Sequence, residues 1–162
     1  MYSGSGEVLG TFRDASRWMN TSGAPARDMH TAVDSSVLLD VVLDDRRFAE
    51  RSEVALRQAA AAGALTLCEC VLAEIRPAFG PGEIEEFLSD WQLQFVPSTR
   101  ESVVLAGEMF SMYLGRRRGG ATARVVVDFL IGAHAVQTAD RLLARDRGYY
   151  RDYFRQLVLV EP

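Results

Sequence analysis

Short apolar segments alternate with longer segments of helical periodicity along most of this sequence. Five runs of aliphatic and β-branched residues, each bounded by polar residues, Gly or Pro, predict five β-strands. Met29 opens the first run, and the predicted strands cover residues 31–33, 64–67, 93–96, 141–144 and 157–160.

The segments between these runs are predicted to be helices. Asp34, Ser35 and Ser36 form an N-cap cluster ahead of the first helix, and Gly63 and Pro77 mark the ends of the second and third. The second helix is predicted over residues 46–62, and later helices over 83–90, 99–114 and 125–138. Because alternating strands and helices form βαβ units, we predict an α/β fold in which a central parallel sheet carries helices on both faces.

The first 28 residues differ from the rest of the chain. They combine Gly, Ser, Thr and Arg without a clear period, so we predict an N-terminal tail over residues 1–28 and one folded domain over residues 29–162. A chain of 162 residues is long enough to bury one core of ordinary size.

Composition narrows the chemistry. With 48% hydrophobic and 25% charged residues, the chain has the composition of soluble globular proteins. We expect a cytoplasmic protein with no membrane partner, because no apolar run reaches a membrane span and no signal peptide is visible. All 18 basic residues are Arg, which excludes P-loop and Schiff-base chemistry, since both need Lys. Cys68 and Cys70 are too few for a disulfide framework, and we expect them to be packing residues.

Four acidic residues lie where a parallel sheet places its ligands. Asp34 ends the first predicted strand and Asp146 ends the fourth, while Glu74 and Asp128 lie on the helices between. Open α/β sheets bind ligands at the carboxyl ends of their strands, so we expect the four carboxylates to converge there. Each has a structural alternative: Asp34 as a helix cap, Asp146 as a turn residue, and Glu74 and Asp128 as ion-pair partners of Arg.

Converging carboxylates repel one another unless protons or a divalent metal ion offset their charge. Mg²⁺ and Mn²⁺ prefer oxygen ligands and keep several waters, which leaves room for a phosphate group. Because no Ser-His or Cys-His pair is apparent, the set indicates metal-assisted hydrolysis of a phosphodiester, with water as the nucleophile.

The acid-bearing segments also occur in a recognisable order. They read AVDSSVLLD over residues 32–40, VLAEI over 71–75, DFLIGAHA over 128–135 and LLARDRGYY over 142–150. Together they resemble the PIN-domain ribonucleases and, within that family, the VapC toxins of bacterial toxin-antitoxin pairs. Ala144 stands where relatives often carry Thr, which weakens the support for Asp146 but removes no ligand.

The resemblance implies a PIN-like three-layer α/β fold, with a central parallel sheet of about four or five strands flanked by helices. It implies an Mg²⁺-dependent endoribonuclease, with Mn²⁺ as a substitute, that leaves a 5′-phosphate and a 3′-hydroxyl. Asp34, Glu74, Asp128 and Asp146 would be the catalytic and metal-binding residues, and Ser36 a polar helper. The implied partners are RNA, a VapB-type antitoxin and a second copy of the chain.

RNA binding also needs cationic contacts. Arg116, Arg117 and Arg118 lie in a predicted glycine-bounded loop and are candidate RNA contacts, or else form a solvated loop. The net charge of −4 matches the size of the four-acid site, so the acidic balance does not exclude an RNA substrate. His134 follows Asp128 by about 240° around a helix and is not expected to be a ligand.

Two other classes of function compete with the nuclease. One is a catalytically silent PIN-like module that binds RNA or protein, against which the complete set of four acids argues. The other is a receiver-like phosphoacceptor domain that uses Asp40, Asp44 or Asp45, against which the absence of Lys argues.

Overall fold

The computed structural model describes residues 29–116, 126–145 and 148–162. Its strands form one sheet of five parallel strands in the order β3-β2-β1-β4-β5, which confirms the predicted α/β fold. The strands, in chain order, are β1 (Met29–Val33), β2 (Gly63–Leu67), β3 (Leu93–Phe95), β4 (Arg141–Leu143) and β5 (Val158–Val160).

Helices connect the strands and cover the sheet in a three-layer arrangement. They are α1 (Ser35–Val42), α2 (Ala49–Ala62), α3 (Glu69–Ile75), α4 (Glu83–Asp90), α5 (Arg100–Arg116), α6 (Val126–Thr138) and α7 (Tyr149–Tyr153). A short 3-10 helix, Arg76–Ala78, follows α3. It contains Pro77, whose ring cannot continue an α-helix, so α3 ends where the sequence predicted an interruption.

The centre of the sheet is buried on both sides. Strand β1 pairs with β2 on one side and with β4 on the other, so that Ala32 lies opposite Thr66 and Leu142. Ala32, Val33, Leu142 and Leu143 are all buried, which explains why these strands read as continuous apolar runs rather than alternating ones. The carboxyl ends of β1, β2 and β4 therefore lie side by side at one edge of the sheet.

The predicted boundaries of two helices were wrong. Helix α2 starts at Ala49 instead of residue 46, because the Asp45 carboxylate accepts the backbone N–H groups of Arg47 (2.8 Å) and Phe48 (3.1 Å) in a turn. Helix α5 continues to Arg116, so Arg116 is helical and does not lie in a loop. Arg117, Arg118, Asp146 and the predicted tail over residues 1–28 lie outside the described residues.

Helix α7 was not predicted, since five residues are too few to show a helical period. No helix in the described ranges has both the length and the apolar character that a membrane span requires.

Helix α6 packs closely against the segment that follows α7. A Cβ atom built on Gly132 would lie 2.6 Å from the Phe154 ring, and Phe154 is 1% exposed. This position therefore requires glycine for the close approach of two elements. The contact holds the helix that carries Asp128 against the C-terminal part of the domain.

Gly132→Ala is expected to lower the free energy of unfolding by about 1–3 kcal/mol, because the added methyl group must displace the Phe154 ring. Gly107→Ala is the matched control, since a Cβ on Gly107 of α5 meets nothing within 4 Å. This control should stabilise the protein by up to about 1 kcal/mol, as Ala favours helix over Gly. Urea denaturation of both variants measures the difference, and equal effects would contradict the packing explanation.

Candidate active site

Asp34 is fixed at the carboxyl end of β1 by the backbone. Its N–H group donates to the Leu143 carbonyl oxygen (2.9 Å), which extends the β1–β4 ladder past the last residue of β1. Its backbone is extended, and its Oδ2 atom accepts the Ser36 N–H group (3.0 Å) as the N-cap of α1. Asp34 thus has the capping role that the sequence suggested, at the edge where ligands bind.

The Asp34 carboxylate is buried, with 5% of the residue exposed, and both of its oxygens accept hydrogen bonds. The Tyr150 hydroxyl of α7 donates to Oδ1 (2.8 Å), and the Ser36 hydroxyl donates to Oδ2. Hydrogen bonds to a charged acceptor are stronger than those between neutral groups. The carboxylate is therefore held in one orientation from two sides.

Glu74 lies on α3 and contacts the start of α1. Its Oε2 atom accepts the hydroxyl of Ser35 (2.6 Å), the residue next to Asp34. The nearby Arg76 donates to the Phe79 carbonyl oxygen (2.8 Å). Glu74 is exposed, so its carboxylate is within reach of solvent as well as of Ser35.

Three of the predicted acids lie in the surroundings of the Tyr150 phenol. Burial raises its pKa well above the ordinary value, and the negative charge of Asp34 and the hydrogen bond to Asp34 raise it further. The charges of Asp128 and Glu74 act in the same direction. We call Asp34, Glu74 and Asp128, grouped around Tyr150, the acidic edge.

Asp128 belongs to the first turn of α6 and is half-buried, next to the fully buried Phe129. The structure therefore places three of the four predicted acids in the surroundings of Tyr150. The fourth, Asp146, lies outside the described residues.

The donor set of the acidic edge fits a hard divalent cation. Carboxylate oxygens are the ligands that Mg²⁺ and Mn²⁺ prefer, and the field of three carboxylates favours a positive charge. Within the described ranges, no three His, Cys, Asp or Glu side chains form a group that could hold a metal ion. Asp34, Glu74 and Asp128 are the described residues that would supply oxygen ligands to such an ion.

His134, which the sequence did not predict as a ligand, has a structural contact. It is 1% exposed, and its Nε2 atom lies 2.8 Å from the Val96 carbonyl oxygen at the end of β3. Burial lowers its pKa, which favours the neutral ring. Cys68 is buried and Cys70 half-buried, and both are free thiols.

Arg116 extends from the end of α5 over an aromatic cluster. Its guanidinium carbon lies 5.3 Å from the centre of the Tyr153 ring, and its side chain is exposed. Tyr153 in turn packs on Phe129 at 5.1 Å, so Arg116 belongs to the same end of the molecule as Asp128. Phe110 and Tyr113, both on α5, pack on Phe129 as well.

Two contacts at the acidic edge were absent from the sequence interpretation. Tyr150 was visible only as part of the segment that contains Asp146, and Ser35 only as part of a capping cluster. A tyrosine placed 116 residues after Asp34 gives no local signal of its hydrogen bond. Ser35 directly follows an acid at a strand end, and that adjacency was the available signal.

Asp40 was a candidate phosphoacceptor under the receiver-like alternative, and the structure gives it another environment. It lies on α1, 2% exposed, where its carboxylate pairs with Arg145 (2.9 Å) and accepts the Ser52 hydroxyl (2.7 Å). Burial raises the Asp40 pKa, against the opposing effects of Ser52 and Arg145. An enclosed, paired carboxylate on a helix is not an accessible phosphoacceptor.

Comparison with known proteins places this geometry in a family. The sequence matches the PIN domain family over residues 31–154, a range that contains all four predicted acids. The chain belongs to the PIN-domain family. No curated protein sequence matches this PIN domain significantly.

Solved structures share the fold. The complex of VapBC2 from Rickettsia felis with a promoter DNA fragment matches with a TM-score of 0.59 and 18% identity, covering 82% of this chain and 98% of that chain. FitAcB from Neisseria gonorrhoeae matches with a TM-score of 0.57 and 16% identity, covering 80% and 95%. FitAB bound to an IR36 DNA fragment matches with a TM-score of 0.51 and 16% identity, covering 82% and 94%.

Tyr150→Phe is expected to change how stability depends on alkaline pH. The folded pKa of Tyr150 lies above the unfolded value of about 10, so its stabilising contribution is complete below that pH and is lost as the pH rises. Wild type should therefore lose stability more steeply than Tyr150→Phe between about pH 9 and pH 11.

Urea denaturation across this pH range measures the two slopes. Tyr153→Phe, on the same helix but without a hydrogen bond to Asp34, is the control and should follow wild type. Parallel curves for wild type and Tyr150→Phe would contradict the role of the buried phenol.

Proposed function

We propose that this PIN domain is an Mg²⁺-dependent endoribonuclease toxin of a VapBC-type toxin-antitoxin system. The observation that carries the proposal is the acidic edge: three carboxylates from β1, α3 and α6 grouped around the buried Tyr150 hydroxyl. The PIN-domain match and the shared fold with VapBC2 and FitAB support it. This set of oxygen donors suits metal-dependent hydrolysis better than hydrolysis by a nucleophilic side chain.

Asp34, Glu74, Asp128 and Asp146 would hold the metal ion, with Mn²⁺ able to replace Mg²⁺. When bound, the ion supplies Lewis-acid stabilisation of phosphate charge and a water of lowered pKa. The chain's own residues orient the acids: Tyr150 and Ser36 fix Asp34, and Ser35 fixes Glu74. Hydrolysis adds water across the phosphodiester, leaving a 5′-phosphate and a 3′-hydroxyl.

The proposed partners are those of a VapBC-type toxin. RNA is the substrate, a VapB-type antitoxin is the inhibitor, and a second copy of the chain completes a homodimer in the cytoplasm. The structural neighbours VapBC2 and FitAB are described as bound to DNA fragments, VapBC2 to one from its promoter. An antitoxin that covers the acidic edge would need a cation to offset its charge.

A catalytically silent PIN-like module that binds RNA or protein is the second candidate. One observation favours it: within the part of the chain that the structure describes, no three potential ligands form a ready metal group. The two candidates differ in whether the domain cleaves RNA by means of the acidic edge. Substitution of these acids distinguishes them.

Asp34→Asn and Asp128→Asn are each expected to abolish RNA cleavage while the domain stays folded, because an amide carries no negative charge for a metal ion. Asp140→Asn is the matched control: Asp140 also accepts a backbone N–H group, that of His30 (2.7 Å), but precedes β4 at the opposite edge of the sheet. The measurement is cleavage of purified RNA in Mg²⁺ or Mn²⁺, with mapping of the 5′-phosphate ends.

Wild-type cleavage by purified Asp128→Asn, free of contaminating nuclease, would refute the nuclease proposal. Induced expression in bacteria gives a second readout. Growth arrest that Asp34→Asn relieves supports the toxin, whereas no arrest and no cleavage in Mn²⁺ supports the silent module.

Replacing Arg116, Arg117 and Arg118 together by Gln is expected to weaken RNA binding and reduce its salt dependence, because fewer phosphate charges are neutralised. Filter binding of the uncleaved RNA to the Asp34→Asn protein at several salt concentrations measures both. The control replaces Arg46, Arg51 and Arg57 and changes the net charge equally. If both triple variants lose the same affinity, overall charge rather than local contact explains binding.

A further inference from the structure

Arg145 is held in place by its side chain at the end of β4. Its Nη2 atom lies 2.9 Å from Asp40 Oδ1 on α1, and its guanidinium carbon lies 4.3 Å from the centre of the Phe48 ring ahead of α2. The other oxygen of Asp40 accepts the Ser52 hydroxyl of α2 (2.7 Å). One guanidinium therefore joins β4 to α1 and to the start of α2.

The backbone of Arg145 connects this ion pair to the acidic edge. The Ala144 N–H group still bonds to Val160 within the sheet (3.0 Å), but the next N–H group, that of Arg145, donates to Ser36 Oγ (3.2 Å). Ser36 Oγ in turn donates to Asp34 Oδ2. Two hydrogen bonds thus separate the Arg145 backbone from the carboxylate of Asp34.

Stability alone does not account for this arrangement. Asp40 is 2% exposed, but the Arg145 side chain is 32% exposed; a solvent-accessible ion pair adds little stability, and a buried one can often be replaced by apolar residues without loss. Within the described residues, the buried Nε atom of Arg145 has no hydrogen-bond partner, so the network is incompletely satisfied. The pair instead fixes the orientation of the backbone at Arg145, where the β1–β4 ladder ends.

We propose that the Asp40–Arg145 ion pair positions the Asp34 carboxylate, by holding the Arg145 N–H group against Ser36. Arg145 and Asp40 are positioning residues, since they reach Asp34 only through Ser36. The expected consequence of this positioning is tighter binding of the divalent cation, and this consequence rests on the proposed function. Outer-shell groups that orient metal ligands typically change metal affinity by about 10–100-fold when they are replaced.

A double-mutant cycle with Mn²⁺ alone tests the pair in the full chain by isothermal titration calorimetry. Asp40→Asn and Arg145→Gln should each weaken Mn²⁺ binding by about 10-fold or more, and the double variant by no more than the worse single one. Arg145→Lys, which keeps the charge, should retain part of the affinity. Ser36→Ala should weaken binding to a similar extent, and adding Arg145→Gln to it should change little further.

Arg57→Gln is the matched control. The Arg57 guanidinium has the same two kinds of contact, an ion pair with Glu53 and a position 5.8 Å from the Trp91 ring centre, on the distal part of α2. A second control, Phe87→Leu, destabilises a core contact of α4 with Phe79. Both controls should bind Mn²⁺ as wild type does, with urea denaturation confirming that every variant is folded.

A metal-free readout separates this inference from the proposed function. In carbon-13-labelled protein without metal, Asp40→Asn and Arg145→Gln should shift the Asp34 carboxyl resonance, while Arg57→Gln should leave it unchanged. An unchanged Asp34 resonance, or Mn²⁺ affinity lost equally in Phe87→Leu, would overturn the positioning role. If both variants shift the Asp34 resonance but the wild-type chain binds no Mn²⁺, the positioning role is supported and only the proposed function is refuted.

Discussion

The structure depends on shielding one carboxylate, that of Asp34 at the end of β1, from solvent. Asp34 is 5% exposed, and an ionised carboxylate in that setting is costly unless its oxygens meet donors. The donors come from the backbone and hydroxyl of Ser36 on α1 and from the hydroxyl of Tyr150 on α7. Helices α1 and α7 are therefore placed so that these donors reach Asp34.

This requirement connects local and tertiary structure. The cap that starts α1 and the donors that orient the carboxylate are partly the same groups, so the helix cannot form its normal N-terminus without also turning Asp34 toward the sheet edge. Glu74 reaches the same region through Ser35, the residue between the two capping positions. The three consecutive residues at the end of β1 thus organise contacts to α3, α7 and the end of β4.

Much of the fold could be predicted from sequence because its signals are local. The strands lie in apolar runs bounded by Gly, Pro or acidic residues, and α4 occupies the predicted residues 83–90 because its apolar period and boundaries are clear. The start of α2 was misplaced since the Asp45 turn competes with helix for the same residues. Arg116 was placed in a loop because Gly115 resembles a helix end, yet the helix continues through it.

The candidate site also contains residues that the sequence could place and residues that it could not. Asp34 could be placed at this edge because it directly follows a parallel strand, and Glu74 and Asp128 were expected there from the order of the acid-bearing segments. The donors could not be placed, since the Tyr150 and Arg145 contacts join residues more than 100 positions apart and have no periodicity. Asp40 looks like an ordinary acid of an amphipathic helix until its partners on α2 and β4 are known.

The separation of Asp34 and Tyr150 by 116 residues has a consequence for synthesis of the chain. Strand β1 is made before the other strands and lies in the centre of the finished sheet, but its neighbour β4 and helix α7, which carries Tyr150, are made near the end, ahead only of β5. Contacts of such long range form only after the intervening chain has been ordered. A nascent or prematurely ended chain therefore lacks an oriented Asp34, and the acidic edge is complete only once the C-terminal elements have docked.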